Sequence, residues 1–411
     1  MTKRLFILFL LSLFLLTGSA QRLKCVEVDN YDYVNFDACY LHFPAQHHRY
    51  EALYRKIAHI RRGGKGVVNI LHVGGSHVQA GVLSHRLRCN FSQIMPERPR
   101  SRGLMFPFRA IRTNAPADYE FTASGSWRSS RCLEFSPSYS LGLSGAAAVA
   151  TSAECSLHLS VDEAYAFQRL RVLGEAMGGE VRPLIVTAEA DTLHPSKAGK
   201  DFLFTFPKTT NECTIVFEGL EGNGTSFVFR GVWPEHDGVG IAYSESGING
   251  AAVPSWLRCK LFAEELKRLC PPDLVIFGIG INDANVPTSR FSAEAFKANY
   301  RELINNILAV NPNTAFLFIT NNDCRLRVGR RRHVYNGNGS VVEQAMTELA
   351  QEFNGAVFNQ FQVMGGLGSS SEWVSAGLMN RDHVHFLSPG YRLMGDLIYN
   401  AFVQDYNDYL R

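Results

Sequence analysis

Short apolar runs alternate with amphipathic stretches through both ends of the chain. Residues 48–62 place apolar side chains at helical spacing, and a pair of glycines ends this pattern. The next run, 67–73, is mostly apolar and lies between glycines, which is typical of a strand buried on both faces. Residues 78–87 again have helical spacing. The sequence therefore predicts that Ser76 lies at a strand-to-helix turn, where catalytic groups of open α/β sheets collect.

The C-terminal part of the chain repeats this alternation. We predict helices over 257–269, 291–310, 341–353 and 389–402, and strands over 273–277, 315–320 and 356–358. Strands that alternate with helices indicate a mostly parallel sheet with helices on both faces.

The middle of the chain, 111–237, has poor helical periodicity and many turn residues. Short strands are predicted there over 153–161, 184–190, 202–206, 213–217 and 226–232, a pattern typical of a β-sandwich. We therefore expect an inserted β-rich domain over 111–237 within a discontinuous α/β domain formed by 21–110 and 238–411. The alternative is an elaborated loop region of that same domain.

The first twenty residues have the composition of a secretory signal peptide. Lys3 and Arg4 precede an apolar run from Leu5 to Leu16, and small residues at 18–20 offer a cleavage site. The run is too short to favour a membrane span, although an uncleaved anchor is the alternative. We expect an exported chain, periplasmic or extracellular, with no stable membrane span in its mature form.

Charge and cysteine content restrict the function further. The net charge of +3 is close to neutral, and we expect no nucleic-acid partner. The nine cysteines are an odd number, so at least one is unpaired within the chain, and Cys25–Cys39 and Cys132–Cys155 are candidate disulfides. No repeated Cys/His spacing indicates a zinc site, and we expect no metal and no cofactor. The oligomeric state stays open.

Four short segments carry the candidate chemistry, and each is weak alone. They read Gly-Gly-Ser-His (74–77), Gly-Ile-Asn-Gly (247–250), Gly-Ile-Asn-Asp (280–283) and Asp-His-Val-His (382–385). Together they supply a hydroxyl nucleophile, oxyanion donors and an Asp/His pair, the groups that serine-dependent acyl transfer requires.

Ser76 is the candidate nucleophile, because its backbone N–H at a helix start faces a developing oxyanion; the alternative is a helix cap. His77 is its neighbour and is not suited to be its base. We predict that His385 is the base and that Asp382 orients it, while His383 is expected on the surface or rim. Asp382 alone is equally a turn cap.

Gly250 and Asn282 complete the predicted oxyanion hole with the Ser76 N–H. A loop glycine lets its backbone N–H approach closely, and an asparagine amide donates to a negative oxygen. Turns without a catalytic role are the alternative for both segments.

Taken jointly, the four segments resemble the marker blocks of the SGNH hydrolases, also called GDSL-like esterases. The resemblance covers residues 67–90 and 238–402. It implies a flavodoxin-like three-layer sandwich and the roles given above for Ser76, Gly250, Asn282, Asp382 and His385. Gly75 departs from the family, which usually has Asp at this position, and glycine there adds backbone freedom to the turn.

The long interval between Ser76 and Gly250 is similar to that of bacterial peptidoglycan O-acetylesterases, which carry a carbohydrate-binding-like β-sandwich there. This resemblance implies an O-acetylated glycan as substrate. A different acyl ester and a non-catalytic glycan-binding role remain the alternatives.

Two further features are ambiguous in the sequence. A basic run follows the strand predicted to end at Thr320 and either meets an anionic glycan or forms a solvated loop; its members are Arg325, Arg327, Arg330, Arg331 and Arg332. Four tryptophans either stack on sugars or belong to the core, namely Trp127, Trp233, Trp256 and Trp373.

Overall fold

The structure is a computed structural model that describes residues 22–221, 224–238, 240–329 and 332–411. The predicted signal peptide, 1–20, lies outside the described residues. Within them, the α-helices are α1 (His48–Arg61), α2 (Ser76–Gln79), α3 (Val82–Ser92), α4 (Val253–Trp256), α5 (Phe262–Leu269), α6 (Ile281–Ala284), α7 (Ala293–Leu308), α8 (Gly339–Phe353), α9 (Gln360–Val363), α10 (Ser370–Ser375) and α11 (Ser388–Tyr409).

The strands of the described residues follow the same chain order. They are β1 (Leu41–His42), β2 (Val68–Gly74), β3 (Tyr119–Ser124), β4 (Trp127–Arg131), β5 (Ala146–Ala150), β6 (Ser156–Val161), β7 (Phe167–Met177), β8 (Arg182–Val186), β9 (Thr192–Leu193), β10 (Ser196–Ala198), β11 (Asp201–Thr210), β12 (Glu212–Glu218), β13 (Ser226–Glu235), β14 (Ile241–Gly247), β15 (Leu274–Gly278), β16 (Ala315–Ile319), β17 (Arg325–Arg327), β18 (His333–Tyr335) and β19 (Ala356–Phe358).

A mostly parallel sheet forms the centre of the α/β part, in the order β1-β19-β16-β15-β2-β14. Only β1 pairs antiparallel among the described strands of this sheet. In the register of the sheet, Gly74 lies opposite both Gly247 and Gly278. The carboxyl ends of three neighbouring strands therefore meet at one point of the sheet edge. The predicted mostly parallel sheet is confirmed.

Helices cover both faces of this sheet because alternate strand residues point to opposite sides. Ile70 packs in one apolar cluster with residues of α1, α3 and α11. Leu71 packs in another with residues of α7 and α8. The apolar run read as a doubly buried strand thus separates two helical layers.

Several predicted boundaries are wrong. The helix predicted over 78–87 is split, since Gly81 has φ 78° and α3 starts at Val82. A Cβ at Gly81 would lie 2.7 Å from a Pro116 carbon, so the turn needs glycine. The helix predicted over 257–269 starts only at Phe262, and the last helix continues to Tyr409. Strand β14 was missed entirely.

The middle of the chain forms two antiparallel sheets. Their orders are β10-β11-β7-β13-β5-β4 and β3-β6-β12-β8-β9. One apolar cluster joins residues of both sheets, including Leu170, Ile215 and Phe229. The opposite face of the six-stranded sheet, for example Leu173 and Val228, packs into the cluster shared with the central sheet. This region is therefore packed against the α/β part through one face of the six-stranded sheet, along β5, β7 and β13.

Four buried charges lie where the two parts join. Arg102 is fully buried and donates to Asp118 at 3.0 Å and to Glu245 at 2.7 Å. Arg88 donates to the same two carboxylates at 2.7 and 3.0 Å. Buried charges are tolerated when paired in this way, so two cations balance two anions here.

The nine cysteines all lie in the described residues, and all are free thiols. Both predicted disulfides are therefore wrong for this structure. The Cys155 thiol donates to the carbonyl of Ser126, whereas Cys132 contacts the thiol of Cys259 instead. No helix among the described ranges combines the length and apolarity that crossing a membrane would demand.

Candidate active site

Ser76 is the first residue of α2 and follows directly after β2 and Gly75. Gly74 lets this turn pass close to its neighbours, since a Cβ there would lie 2.2 Å from Val78 and 2.8 Å from the carbonyl oxygen of Gly278. The structure therefore has Ser76 at the strand-to-helix turn, at the edge where the parallel strands end.

A hydrogen-bonded chain of three side chains starts at Ser76. Its Oγ lies 2.8 Å from Nε2 of His385, and Nδ1 of His385 lies 2.8 Å from Oδ2 of Asp382. The other carboxylate oxygen of Asp382 accepts the backbone N–H groups of Val384 and His385 at 2.8 and 3.0 Å. The geometry brings together residues that lie 309 positions apart in the chain.

The carboxyl of Asp382 is held ionised. Burial by itself would raise its pKa, but the hydrogen bonds from the His385 side chain and from two backbone N–H groups lower the pKa to about 2. An ionised carboxylate in this position favours the His385 tautomer with its proton on Nδ1, since that proton can be donated to Asp382.

The other two histidines of these segments have different surroundings. His77 is buried, and its Nδ1 lies 2.9 Å from the hydroxyl of Tyr391. Burial, followed by the nearby His385, lowers the pKa of His77 to about 3, so it is neutral. Its ring lies 5.3 Å from that of His385 and packs behind the imidazole. His383 is partly exposed, adopts φ 57°, and faces His333 with its ring 6.3 Å away.

The two predicted oxyanion donors lie beside the Ser76 turn. Asn282 Nδ2 donates to the carbonyl of Ala251 at 2.9 Å, next to Gly250, which has φ 81°. A Cβ placed on Gly75 would lie 3.1 Å from Asn282 Nδ2 and 3.2 Å from the Ala251 oxygen. A larger residue at this position, such as the Asp that the family usually has, would require these groups to move by a few tenths of an ångström.

Gln79 holds the loop that carries Gly250. Its Oε1 accepts the backbone N–H of Asn249 at 2.6 Å, and its Nε2 donates to the Thr113 hydroxyl at 3.0 Å and to the Asn114 carbonyl at 2.8 Å. The Asn249 side chain donates to the same Thr113 hydroxyl at 3.2 Å. We call these four residues the Gln79 clamp. Sequence reasoning gave Gln79 no such role, because its partners are distant in the chain.

The middle region also reaches the site. Leu133 follows β4, and its methyl groups lie 3.8 and 3.9 Å from the Cβ position of Gly250. Leu133 is 40% exposed and Phe135 is 93% exposed. Neither residue was singled out in the sequence, since isolated apolar residues in a loop give no periodic signal.

The basic run and the tryptophans differ in their placement. The backbone N–H of Arg325 donates to the carbonyl of His383 at 3.3 Å, so β17 lies against the segment that carries Asp382. Arg330 and Arg331 lie outside the described residues.

Trp233, Trp256 and Trp373 are buried. Trp127 packs edge-on against Phe217, with ring centroids 5.9 Å apart.

Within the part of the chain that is described, no group of three His, Cys, Asp or Glu residues is arranged so that it could hold a metal ion. The assembled groups are a hydroxyl, a base oriented by a carboxylate, and amide donors beside the hydroxyl. Such a set activates the hydroxyl for attack on an ester carbonyl.

Residues 221–393 match the GDSL-like Lipase/Acylhydrolase family. The match includes Gly250, Asn282, Asp382 and His385, while Ser76 precedes it because the middle region separates the segments. No curated protein sequence matches the chain.

Among solved structures, the chain is similar to a peptidoglycan O-acetylesterase, with a TM-score of 0.72 and 18% identity, over 90% of this chain and 99% of that one. It also matches a family two carbohydrate esterase from Cellvibrio japonicus, with a TM-score of 0.27 and 10% identity, over 71% and 99% of the two chains. A match to a GDSL-like lipase from Parabacteroides merdae has a TM-score of 0.30 and 20% identity, over 39% and 74%. The resemblance to the GDSL-like esterases is confirmed.

Proposed function

We propose that this chain, a serine ester hydrolase of the SGNH type, removes O-acetyl groups from a cell-wall polysaccharide such as peptidoglycan. The observation that carries the proposal is the hydrogen-bonded chain from Ser76 through His385 to Asp382 at the edge of the sheet. We assign Ser76 as nucleophile, His385 as general base and acid, and Asp382 as the group that orients the imidazole.

The reaction begins when Ser76 Oγ attacks the acetyl carbonyl and its proton passes to Nε2 of His385. The resulting imidazolium is stabilised by the ionised Asp382, whose carboxylate contacts Nδ1. His385 then protonates the sugar oxygen as the ester bond breaks, which leaves an acetyl group on Ser76. Water, deprotonated by His385, attacks this acyl-enzyme and releases acetate.

Negative charge develops on the carbonyl oxygen during both attacks. We assign its stabilisation to the backbone N–H groups of Ser76 and Gly250 and to the amide of Asn282. The left-handed backbone of Gly250 and the proximity of Asn282 to Gly75 support this assignment. Preorganised donors of this kind contribute about 10²–10³ in rate each.

The substrate class is supported by a structural similarity that extends over most of the chain. Similarity to a peptidoglycan O-acetylesterase extends over 90% of the residues, which is more than the α/β part alone contains. We propose that the two antiparallel sheets of the middle region form an inserted, carbohydrate-binding-like β-sandwich domain. The composition of residues 1–20 supports export to the compartment where such a polymer lies.

The experiment that tests the proposal compares the mature protein with Ser76→Ala and with Ser375→Ala, an exposed serine on α10. Acetate release is measured from p-nitrophenyl acetate and from O-acetylated peptidoglycan. We expect Ser76→Ala to lose activity on both substrates and Ser375→Ala to keep it. Equal activity of Ser76→Ala and the native protein would refute the assigned nucleophile. Activity on the small ester alone would refute the polymer substrate.

A further inference from the structure

We propose that Phe135 is a stacking platform for the sugar that carries the ester, so that the middle region sets the preference for polymer over small esters. The inference rests on the proposed function and deepens it. It concerns the short segment from Cys132 to Tyr139, called here the rim loop.

The rim loop lies at the oxyanion side of the site. Leu133 Cδ1 lies 3.8 Å from the Cβ position of Gly250, and the Leu133 side chain is 40% exposed. Phe135 is two residues further on, so its Cα lies within about 7 Å of that of Leu133. An acetyl group is small, so in the proposed complex the ring that bears it, or the next ring of the polymer, extends toward Phe135.

Hydrogen bonds fix the rim loop without using Phe135. Glu134 accepts the backbone N–H of Arg131 at 2.7 Å and the Ser130 hydroxyl at 2.8 Å. The Ser130 hydroxyl in turn accepts the backbone N–H of Ser138 at 3.1 Å. The backbone carbonyl of Cys132 accepts from Arg258 at 2.9 Å, which ties the loop to the segment after α4. A loop held in this way loses little backbone freedom when one of its side chains contacts a ligand.

The exposure of Phe135 is unusual for its residue type. The side chain is 93% exposed, whereas Phe106 and Phe108, near the start of the same region, are 2% and 7% exposed. Aromatic side chains normally bury a large apolar area, so an exposed ring leaves that stabilisation unused until a ligand covers it. The C–H face of a sugar ring is apolar and flat enough to cover an aromatic face.

The four tryptophans do not offer this surface. Three are buried, and Trp127 packs against Phe217. Among the aromatic residues of the rim loop, Tyr139 packs against the apolar cluster of the α/β part and is only partly exposed. Phe135 is therefore the ring of this loop that a glycan chain can reach.

The experiment is a substrate comparison with Phe135→Ala, Phe135→Trp and Tyr40→Ala. Tyr40 is 53% exposed and precedes β1 at the opposite edge of the central sheet, so it serves as the matched aromatic control. We expect Phe135→Ala to keep kcat/KM on p-nitrophenyl acetate within about twofold and to lose about tenfold on O-acetylated peptidoglycan, mainly through KM. Phe135→Trp should restore the polymer activity, and Tyr40→Ala should change neither substrate.

Two results overturn the inference. One is an unchanged kcat/KM of Phe135→Ala on the polymer, and the other is an equal loss on both substrates, which would indicate a disturbed oxyanion loop. Thermal unfolding of each variant separates loss of fold from loss of binding. Failure of the proposed function is distinct, because the native protein itself would then show no Ser76-dependent release of acetate from the polymer.

Discussion

Replacing Gln79 by alanine tests whether the oxyanion loop is held by the Gln79 clamp. The side chain is 2% exposed, and its amide makes hydrogen bonds to Asn249, Thr113 and Asn114 at 2.6 to 3.0 Å. In Gln79→Ala the N–H of Asn249 loses its acceptor, and the adjacent Gly250 loses the contact that fixes its orientation. The change leaves every residue of the proposed triad in place.

The size of the effect follows from these contacts. Each neutral hydrogen bond contributes about 1 kcal/mol net, so the loss of three destabilises the fold by about 3 kcal/mol. Removing an oxyanion donor outright costs about 10²–10³ in kcat. Because Gln79 only positions the donor, we expect kcat to fall by about 10–100-fold, with KM changed by no more than about threefold.

Steady-state kinetics on p-nitrophenyl acetate measure this split between kcat and KM, and urea unfolding measures the stability. Thr113→Ala is the matched control, because it removes a clamp partner and leaves the bond from Asn249 to Gln79 intact. It should cost about 2 kcal/mol, because the Thr113 hydroxyl accepts from both Gln79 and Asn249, and should change kcat by no more than about threefold. A Gln79→Ala protein with lowered stability and native kcat would refute the reasoning, since the clamp would then be purely structural.

Three further substitutions give separate tests. Asp382→Asn should lower kcat on p-nitrophenyl acetate by about 10⁴, because the imidazole is no longer held in the required tautomer; a loss below about tenfold would contradict this. Burial raises the pKa of Asp283 to about 7. Between about pH 4 and 7 the folded state therefore keeps a proton on Asp283 that the unfolded state releases. The contribution of Asp283 to stability thus falls as the pH rises through this window. Asp283→Asn should remove this fall in stability, which urea unfolding at pH 4.5 and pH 8 measures. A variant with the same pH dependence as the native protein would contradict the prediction. Arg102→Met leaves Asp118 and Glu245 with one cation fewer and should cost about 3–5 kcal/mol in urea unfolding, whereas a neutral effect would show that the buried network relaxes.

The turn at Ser76 was predictable because its signals are local. An apolar run between glycines predicts a buried strand, and its end places the serine at the sheet edge. The encounter of the Ser76 and Asn282 segments was also accessible, since both follow predicted strands and the carboxyl ends of neighbouring parallel strands meet. The register that sets Gly74 opposite Gly247 and Gly278 shows this meeting.

Strand β14 was not predicted, because several of its residues are polar although they are buried. Ser244, Glu245 and Ser246 are 2%, 8% and 2% exposed, and Glu245 is neutralised by two arginines from other parts of the chain. Hydrophobic periodicity assumes that buried residues are apolar, so an internal ion network removes the signal. The Gln79 clamp was not predicted for a related reason, because side-chain hydrogen bonds between distant segments produce no spacing pattern in the sequence.

The position of β14 in the central sheet also sets an order of assembly on the ribosome. Strand β2, which ends just before Ser76, emerges early, but its parallel neighbour β14 follows only after the two antiparallel sheets have been synthesised. At about 5–20 residues per second, roughly ten seconds or more separate the two strands. During this interval neither edge of β2 has its partner, because its other neighbour, β15, follows later still, and unpaired strand edges invite association with other chains. Early folding of the middle region shortens the distance that β14 must then search to pair with β2.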